Sequence, residues 1–365
     1  MKPFPKDQIC PRCKKFLANM FEVVDKESRP KTQPKEFETK TTSISSRLQG
    51  KVKVKHKTQS VSLEGDKIEL HKGEYIKLLG ITSINRTPLF YSNLKYVYLL
   101  ELTNNLDFIA TSILGGELDK MLLISEENNE QGKCQFLVKN SLIYIVYGVF
   151  PDKKGKWILE QMNKHFSELV KGRNVDKLSK LEKHQISTKF DGIIRFILKE
   201  YLQLQDVFSD QDIPYLEDKL RVDYLGLSSR SIGVISLLLG DELNIEMPGD
   251  FDSHEELNEM KESLLTAKIE AIAANTLGNT GAMPRWIAVK LGFQNYRFLT
   301  FQKLKNDYFL SFLSEGNLEK LEIVENQLDT LIAPVTKEAF SGDLRPFNQL
   351  KLLFIEKFNQ TREFS

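Results

Sequence analysis

The feature of this sequence that most constrains its fold is an order of predicted elements that occurs twice. Residues 75–172 and residues 231–333 each give a β-hairpin, a long helix, three short strands and a closing helix. The first hairpin is predicted to turn at Asn85-Arg86, and the second, in "SIGVISLLLGDELNIEMP", at Gly240-Asp241. A chain with this doubled order is expected to build two units that share one topology.

Hydrophobic spacing predicts the remaining elements of the first unit. The segment "LKYVYLLELTNNLDFIATSILGGELDK" is predicted to be one long helix, because apolar residues from Val97 to Leu118 recur at spacings near three and four. Strands are predicted in "MLLISE", "KCQFLV" and "SLIYIVYGVF", with a turn at Lys139-Asn140 before the last of them. The amphipathic segment "KGKWILEQMNKHFSELVKG" then closes the unit as a helix.

The second unit follows the same pattern. Its long helix is predicted in "HEELNEMKESLLTAKIEAIAANTLG", where Ala271, Ala273 and Ala274 would let the helix lie close to a sheet. The strands "RWIAVKLG", "YRFLTFQK" and "DYFLSFLS" come next, and a turn at Lys305-Asn306 corresponds to the one in the first unit. The closing helix is "NLEKLEIVENQLDTLI".

These elements predict a mixed α/β fold of the α+β type. Each unit is expected to be a five-stranded antiparallel sheet with packed helices, because an apolar helix stripe and an apolar sheet face bury each other. The runs "IYIVYGVF" and "ISLLLG" are apolar at almost every position, which predicts central strands or strands at an interface. We expect the units to pair sheet edge to sheet edge or helix to helix, because an uncovered edge attracts another strand.

The chain divides into five predicted segments. They are a basic arm (1–60), a first unit (65–173), a helical connector (177–222), a second unit (223–335) and a C-terminal helical tail (336–365). The apolar stripe of "FNQLKLLFIEKFNQ" in the tail, formed by Leu350, Leu353, Phe354 and Phe358, favours packing on its own unit over a partner or a membrane surface.

Charge is distributed unevenly between the arm and the rest. The first 60 residues carry 15 Lys and Arg against 6 Asp and Glu, whereas the remainder carries 36 against 44. Residues 26–58 contain little that could be buried, so we expect them to be disordered. No apolar run reaches the roughly 20 residues of a membrane span, and no secretory signal is seen, which predicts a cytoplasmic protein.

Two family resemblances follow from these segments. Residues 75–172, with "INRTPLFYS" and "QFLVKNSLIYIVYGVF", resemble a longin domain, and residues 231–333, with "AKIEAIAANTLG", resemble a roadblock/LC7 domain. The two families are structural relatives on a profilin-like plan. The second segment departs from the usual roadblock form, because the acidic stretch "GDFDSHEELNEMKE" follows its hairpin and only the connector matches the first helix of that family.

The resemblance implies a non-enzymatic regulator or scaffold of a small GTPase, in membrane trafficking or signalling. It also implies a homo-oligomer or a hetero-oligomer with other longin or roadblock proteins, and peripheral contact with an anionic membrane. Such folds usually carry no catalytic residue, so none is assigned. The alternative is a nucleic-acid-associated protein that uses the basic arm and a zinc-knuckle-like cysteine pair.

Cys10 and Cys13 form the one CxxC pair and are the candidate metal ligands. Tetrahedral zinc needs four ligands, and the other candidates in the first half are His56, His71 and Cys134. A zinc ion shared by two chains is one interpretation, and a degenerate or unmetallated knuckle is the other. Cys134 lies on a predicted interior strand and is expected to be an inert core residue. The five histidines are scattered, and His165 is expected to be packed on a helix face.

The stretch "GNTGAMP" at residues 278–284 has two glycines that could suggest a phosphate loop. It lacks the Lys-Ser/Thr of a Walker motif, and it follows a helix, whose C-terminus presents carbonyl groups that repel phosphate. We therefore predict that Gly278 or Gly281 caps the helix in a left-handed conformation and that Pro284 prevents the helix from continuing.

Overall fold

One antiparallel sheet runs through the residues that the structure, a computed structural model, describes. These are residues 67–71, 73–127, 129–203, 215–229, 232–240, 243, 245 and 253–365. Within them the sheet has twelve strands. The strands are β1 (Ile68–Glu69), β2 (Tyr75–Ser83), β3 (Pro88–Tyr91), β4 (Glu117–Ser125), β5 (Gln131–Lys139), β6 (Leu142–Val149), β7 (Leu220–Ser229), β8 (Ile232–Leu238), β9 (Ala282–Gly292), β10 (Asn295–Lys303), β11 (Tyr308–Gly316) and β12 (Glu363–Phe364).

Six α-helices lie in the described part of the chain, so the fold is mixed α/β with a large antiparallel sheet. The helices are α1 (Tyr98–Ser112), α2 (Asp152–Leu169), α3 (Lys180–Gln203), α4 (His254–Thr280), α5 (Leu321–Ile332) and α6 (Arg345–Gln360). None of these described helices is long and apolar enough to cross a lipid bilayer.

The strand order is the same in the first half (residues 67–203) and the second half (residues 215–365). In the first half the order is β3-β2-β6-β5-β4, and in the second it is β8-β7-β11-β10-β9, with β1 and β12 also paired to β2 and β7. The two halves meet at β4 and β9, which pair antiparallel from Glu117–Lys290 to Ser125–Ala282. We call this strand pair the seam; it joins the strands predicted for two units into one sheet.

Helices cover both faces of the sheet. On one face α1 and α4 contact each other and share a core that includes Leu106, Ile269, Met121 and Ile287, which belong to both halves. On the other face the cores are separate: α2 and α3 cover the first half, and α5 and α6 cover the second. The predicted connector helix, α3, therefore forms part of the first half's core through Phe190 and its neighbours.

Two local predictions are confirmed, and two predicted turns lie one residue later in the chain. The turns are formed by Asn140-Ser141 and Asn306-Asp307, whose positive φ angles of 53° and 60° and of 57° and 62° are those of two-residue hairpin turns. The C-cap of α4 is Gly281, with φ 63° and its N–H bonded to the Leu277 carbonyl. The predicted C-terminal stripe packs on its own half through Leu350, Phe354 and Phe358, although Leu353 is 53% exposed.

The predicted end of the first long helix is wrong. The helix ends at Ser112, and β4 begins at Glu117, so Leu118 belongs to a strand. Gly115 has φ 73°, and a Cβ on Gly116 would lie 2.5 Å from the Lys290 carbonyl oxygen. The glycine pair therefore turns the chain toward β9. The residues after it, predicted to be helical, instead form backbone hydrogen bonds with β9 as a strand.

The predicted second hairpin is not found among the described residues. There the strand β8, from Ile232 to Leu238, pairs with the preceding β7. The described residues Leu243 and Ile245 are buried in the core and lie outside any strand. "ISLLLG" thus lies on an outer strand, whereas "IYIVYGVF" is central as predicted, because β6 lies between β2 and β5.

Candidate functional site

The predicted metal ligands Cys10 and Cys13 lie outside the described residues, as does the basic arm. Within the ranges that are described, no group of three or more His, Cys, Asp or Glu side chains could hold a metal ion. Cys134 is a free, fully buried thiol whose pKa is raised by burial, which confirms its assignment to the core. His165 packs edge-to-face on Phe196 with ring centroids 6.4 Å apart, as expected for a packed histidine.

A buried arginine ties the two halves together beside the seam. The guanidinium of Arg297, on β10, donates to the Leu114 carbonyl at 2.5 Å and to the Glu315 carboxylate at 2.7 Å. Leu114 lies in the loop between α1 and β4 of the first half, and only 5% of Arg297 is exposed. This side chain therefore binds the first half's loop to the second half's sheet.

Glu315 also connects Arg297 to a further ion-pair network. Arg221 donates to Glu315 at 3.2 Å and to Asp223 at 2.7 and 3.1 Å. Asp223 is completely buried, and Asn295 donates to the other Glu315 oxygen at 3.2 Å. Because these buried charges are paired and hydrogen-bonded, they rigidify the three strands β7, β11 and β10.

A surface with few charged side chains lies on the outer side of α1 and α4. We call it the paired-helix surface and define it by the exposed residues Phe108, Thr111 and Ser112 of α1 and Met260, Ser263, Ala267, Ala271, Ala274 and Asn275 of α4. The Phe108 side chain is 58% exposed, and the Lys268 ammonium lies 6.0 Å from its ring centroid. The two helices therefore present one exposed aromatic ring beside a row of small side chains.

The composition of this surface differs from that of α2 on the opposite face, although α3 and α6 on that face also expose Phe196, Leu352 and Leu353. The exposed positions of α2 are all charged, namely Lys156, Glu160, Lys164 and Glu168, as is usual for a solvated helix. The exposed positions of α4 from Ser263 onward carry no charge. Of the three alanines predicted to lie against the sheet, only Ala273 does so, whereas Ala271 and Ala274 face solvent.

Two acidic side chains in the helix layer have unusual electrostatics. Burial raises the pKa of Asp107, on α1, and its Oδ1 atom has no hydrogen-bond partner. Burial also raises the pKa of Glu270, on α4, against the opposing effect of a hydrogen bond with Ser228. Raised carboxyl pKa values occur at binding sites but also in purely structural settings, so they support a site only together with its surface chemistry.

Two concave regions lie along the seam. One has a volume of about 500 Å³ near the end of β4, and its charges are paired, since Arg285 binds Glu325 at 2.5 Å and Lys303 binds Glu126 at 2.7 Å. The other has a volume of about 200 Å³ and is lined by residues of both halves and of α2. Hydrophobic spacing in the sequence does not reveal either region, because each combines strands that are distant along the chain.

No protein-family model matches the sequence, and no curated protein aligns with it significantly. The sequence contains one signal for the paired-helix surface, because Phe108 lies off the apolar stripe of Leu102, Leu106 and Ile109 that faces the core. The apolar spacing that predicts this helix does not include Phe108.

Proposed function

We propose that this protein is a non-enzymatic regulator or scaffold of a small GTPase. The observation that carries the proposal is the union of two halves with one strand order across equivalent strands, β4 and β9. This arrangement fits a longin-like half and a roadblock-like half, each a profilin-like sandwich, paired sheet edge to sheet edge within one chain. The resemblance in sequence pattern implies the GTPase partner.

The paired-helix surface is a better candidate for the GTPase contact than an open sheet edge. In the described residues, the outer strand β3 is contacted by α3, and the outer strand β8 is contacted by α4 and α6. The strands β1 and β12 have two residues each, and short edge strands offer few backbone groups to a partner. A partner would therefore gain more contact on the helices.

The chemistry of this surface suits a protein partner. Protein interfaces are depleted of charge at their centre and use aromatic anchors, and Phe108 is an exposed aromatic residue with Lys268 at its edge and small uncharged side chains along α4. Alanine side chains lose no rotamer freedom on contact, so Ala267, Ala271 and Ala274 form a flat surface at low entropic cost. Lys268, whose ammonium lies 6.0 Å from the Phe108 ring centroid, can serve as part of a polar rim.

Direct binding and nucleotide kinetics together test the proposal. Small GTPases from the same organism would be loaded with GDP or a non-hydrolysable GTP analogue and tested for binding to the immobilised protein. Release of a fluorescent nucleotide and hydrolysis of GTP would be followed in parallel, because a scaffold binds without changing either rate. We expect one GTPase to bind, and absence of binding together with unchanged rates would remove the proposal.

Matched variants locate the contact. Phe108→Glu and Ala271→Arg place charge on the paired-helix surface, and each is expected to weaken binding by tenfold or more, as loss of an interface anchor does. Leu352→Glu is the control, because Leu352 is 67% exposed on α6. Equal loss with the control variant would show that the effect is not specific to this surface.

The alternative function, nucleic-acid association, rests on the excess of lysine and arginine in residues 1–60. It predicts affinity for single- or double-stranded nucleic acid that falls steeply with salt and is lost when residues 1–60 are deleted. The same deletion leaves the paired-helix surface in place. GTPase binding that survives the deletion therefore supports the first proposal, and contact of the arm with anionic vesicles can be measured separately.

A further inference from the structure

On the sheet face opposite α1 and α4, the described helices cover the two halves separately. There α2 contacts β5 and β6, and α5 shares a core with Phe298 of β10 and Leu310 of β11. The seam strands β4 and β9 lie between these two pairs of strands in the sheet. We call the face of β4 and β9 between α2 and α5 the seam gap and define it by Leu122, Ile124 and Trp286.

The direction of side chains along the seam strands identifies the residues that face the gap. Met121 and Leu123 of β4 and Ile287 of β9 belong to the core under α1 and α4. Side chains of a strand alternate between the two faces of a sheet, so Leu122 and Trp286 point to the opposite face. These two residues are direct partners across the seam, one from each half.

The apolar side chains of the gap are incompletely buried, although they lie in the middle of the sheet. Leu122, Ile124 and Trp286 are each partly exposed. Leu122 and Ile124 belong to none of the three hydrophobic clusters that the described residues form. An antiparallel strand that faces water normally carries polar side chains on that face, so apolar residues at this position indicate a face that a partner covers.

The width of the gap fits one helix. Neighbouring strands lie about 4.8 Å apart, so α2, over β5 and β6, and α5, over β10 and β11, are separated by about 19 Å across the sheet. Packed helices have axes about 8–10 Å apart, so a helix placed between these two would contact both of them. A second sheet is too wide to approach β4 and β9 between α2 and α5.

A helix also suits the backbone of the seam. The strand β4 is paired with β5 on one side and with β9 on the other, and β9 is paired with β4 and β10. Because neither strand is an edge strand, a partner has to bind here through side chains and not by adding a strand. A helix satisfies its own backbone hydrogen bonds and can present an apolar stripe to the gap.

Lysine predominates at the end of the gap where the smaller concave region lies. The charged residues that line this region are Lys120, Lys153, Lys156, Lys290, Asp119 and Asp152. Asp152 forms ion pairs with Lys120 and Lys133. Within the described residues, Lys156 and Lys290 form no ion pair, although both act electrostatically on Asp119. At the other end, beside Ile124, the charges of the larger concave region are paired, so the gap favours a helix with acidic residues toward one end.

Charge also selects among the possible sources of this helix. Residues 1–60 carry 15 Lys and Arg against 6 Asp and Glu, so their charge has the wrong sign for a gap with lysines at one end. In a second copy of the chain, α6 exposes Leu352 and Leu353, but it carries three basic side chains against one acidic side chain. A helix of another protein, with acidic side chains, matches the gap better than either.

From the helix-wide gap, its partly exposed apolar floor and the lysines at one end, we infer that the seam gap binds an amphipathic helix of a partner protein, with an apolar stripe and an acidic end. The stripe packs on Leu122, Ile124 and Trp286, and the acidic end lies by Lys156 and Lys290. Because β4 and β9 belong to different halves, the bound helix strengthens their association. The gap lies on the sheet face opposite the paired-helix surface, so this role is independent of the proposed GTPase contact.

The test is selection from a displayed library of 18-residue peptides on the full-length protein, without any GTPase. A helix of this length is about 27 Å long, close to the roughly 30 Å that the strand β4 spans. Leucine is fixed at an i, i+3, i+4, i+7 stripe, and every other position is alanine, glutamine, glutamate or lysine. Recovered peptides are expected to contain more glutamate than lysine, with the glutamates grouped toward one end.

Synthetic copies of the recovered peptides are then titrated into the protein by calorimetry. One peptide is expected to bind per chain and to gain helical circular dichroism on binding. A change in Trp286 fluorescence, in a Trp157→Phe background that leaves one of the two tryptophans, should follow the same curve. Phe108→Glu, on the paired-helix surface, should leave the affinity for the peptide unchanged, which separates this site from the proposed GTPase contact.

Matched variants define the site. Leu122→Glu places a negative charge on the floor of the gap and is expected to weaken peptide binding by about tenfold or more, whereas Leu352→Glu, on exposed α6, should not. Lys156→Glu should weaken binding of the acidic peptides by about tenfold. Lys189→Glu is its control, because Lys189 is exposed on α3, which contacts α2 and β3 away from the seam. Thermal unfolding of each variant checks that it folds.

Three results with the peptides overturn the inference. They are absence of saturable binding, recovery of peptides richer in lysine than in glutamate, and unchanged affinity in Leu122→Glu. Self-association of the protein that Leu122→Glu abolishes would assign the gap to a second copy, and tighter peptide binding after deletion of residues 1–60 would mean that those residues compete for the gap. Either result also overturns the inference of a partner protein. If Leu122→Glu fails to fold, Lys156→Glu and the Trp286 signal still decide the matter.

Discussion

Replacing Arg297 with methionine tests how strongly a single buried side chain holds the two halves together. The substitution keeps most of the aliphatic volume and removes the guanidinium, which binds the Leu114 carbonyl at 2.5 Å and Glu315 at 2.7 Å. Leu114 is buried, so its carbonyl loses a donor that water cannot easily replace. The change therefore acts on the contact between the halves.

The size of the effect follows from the contacts that are lost and kept. An unpaired buried carbonyl costs about 1–3 kcal/mol, and the lost hydrogen bond to a charged group contributes about 1.5–3 kcal/mol. Glu315 keeps Arg221 and Asn295 as partners, so it is not left as an isolated buried charge. The Arg297 Nε atom has no partner, and its removal returns about 1 kcal/mol. The expected loss in the free energy of unfolding is about 1.5–5 kcal/mol.

Urea denaturation followed by circular dichroism measures this loss, with amide hydrogen exchange of β4 and β9 as a local readout. Exchange at the seam should accelerate more than exchange in β6, which is distant from it. Arg345→Met is the control, because Arg345 is exposed and pairs only with nearby Asp343, and it should cost less than about 0.5 kcal/mol. A loss below about 1 kcal/mol for Arg297→Met would refute the assigned role.

Three further substitutions test other features. Gly281→Val, at φ 63°, is expected to lower the free energy of unfolding in urea by about 1–2 kcal/mol. Gly278→Ala, inside α4 with open space around it, should raise it by about 0.5–1 kcal/mol. Equal effects of the two substitutions would contradict the role of Gly281 as the C-cap of α4. Phe354→Ala removes a fully buried ring and should lower the free energy of unfolding by about 3–5 kcal/mol, whereas the exposed Leu352→Ala should lower it by less than about 0.5 kcal/mol. Thermal unfolding measures both losses, and equal losses would contradict the packing of α6 in the core. Asp107→Asn should raise stability near pH 7, because burial raises the pKa of Asp107 and so disfavours its charged form in the folded state. This advantage should disappear once the pH falls below the unfolded-state pKa of about 3.9, and an advantage that persists in acid would contradict the cause.

Local elements could be predicted from the sequence where the residues that determine them lie within one short segment. Gly281 caps α4 because only glycine adopts a left-handed φ without strain, and that preference does not depend on distant residues. The turns at Asn140 and Asn306 follow the same rule. The end of α1 could not be predicted in this way, because residues 117–120 have a helical spacing but pair with β9, more than 160 residues away.

The candidate sites were even less predictable. Phe108 could be noticed as an aromatic residue outside its helix stripe, but only the packing of α1 beside α4 brings Lys268 and the small side chains of α4 close to it. The lysines and aromatic rings that line the smaller concave region along the seam belong to β4, α2, β9 and β10. The bulge at Asp119, which directs two charged side chains into that region, is a property of strand pairing, which no spacing along β4 reveals.

The sequence by itself determined the order of helices and strands in the first half and from α4 onward in the second half, the turns near Asn140 and Asn306, and the separation of a basic arm from an acidic remainder. These properties depend on backbone preference and on apolar periodicity within a few residues. The tertiary structure alone decided that β4 and β9 join the halves into one sheet, that Arg297 binds across them, and which helix faces remain exposed. Those outcomes depend on pairing between edge strands and on hydrogen bonds of buried polar groups to residues far away in the chain. Local periodicity does not reveal such long-range pairs.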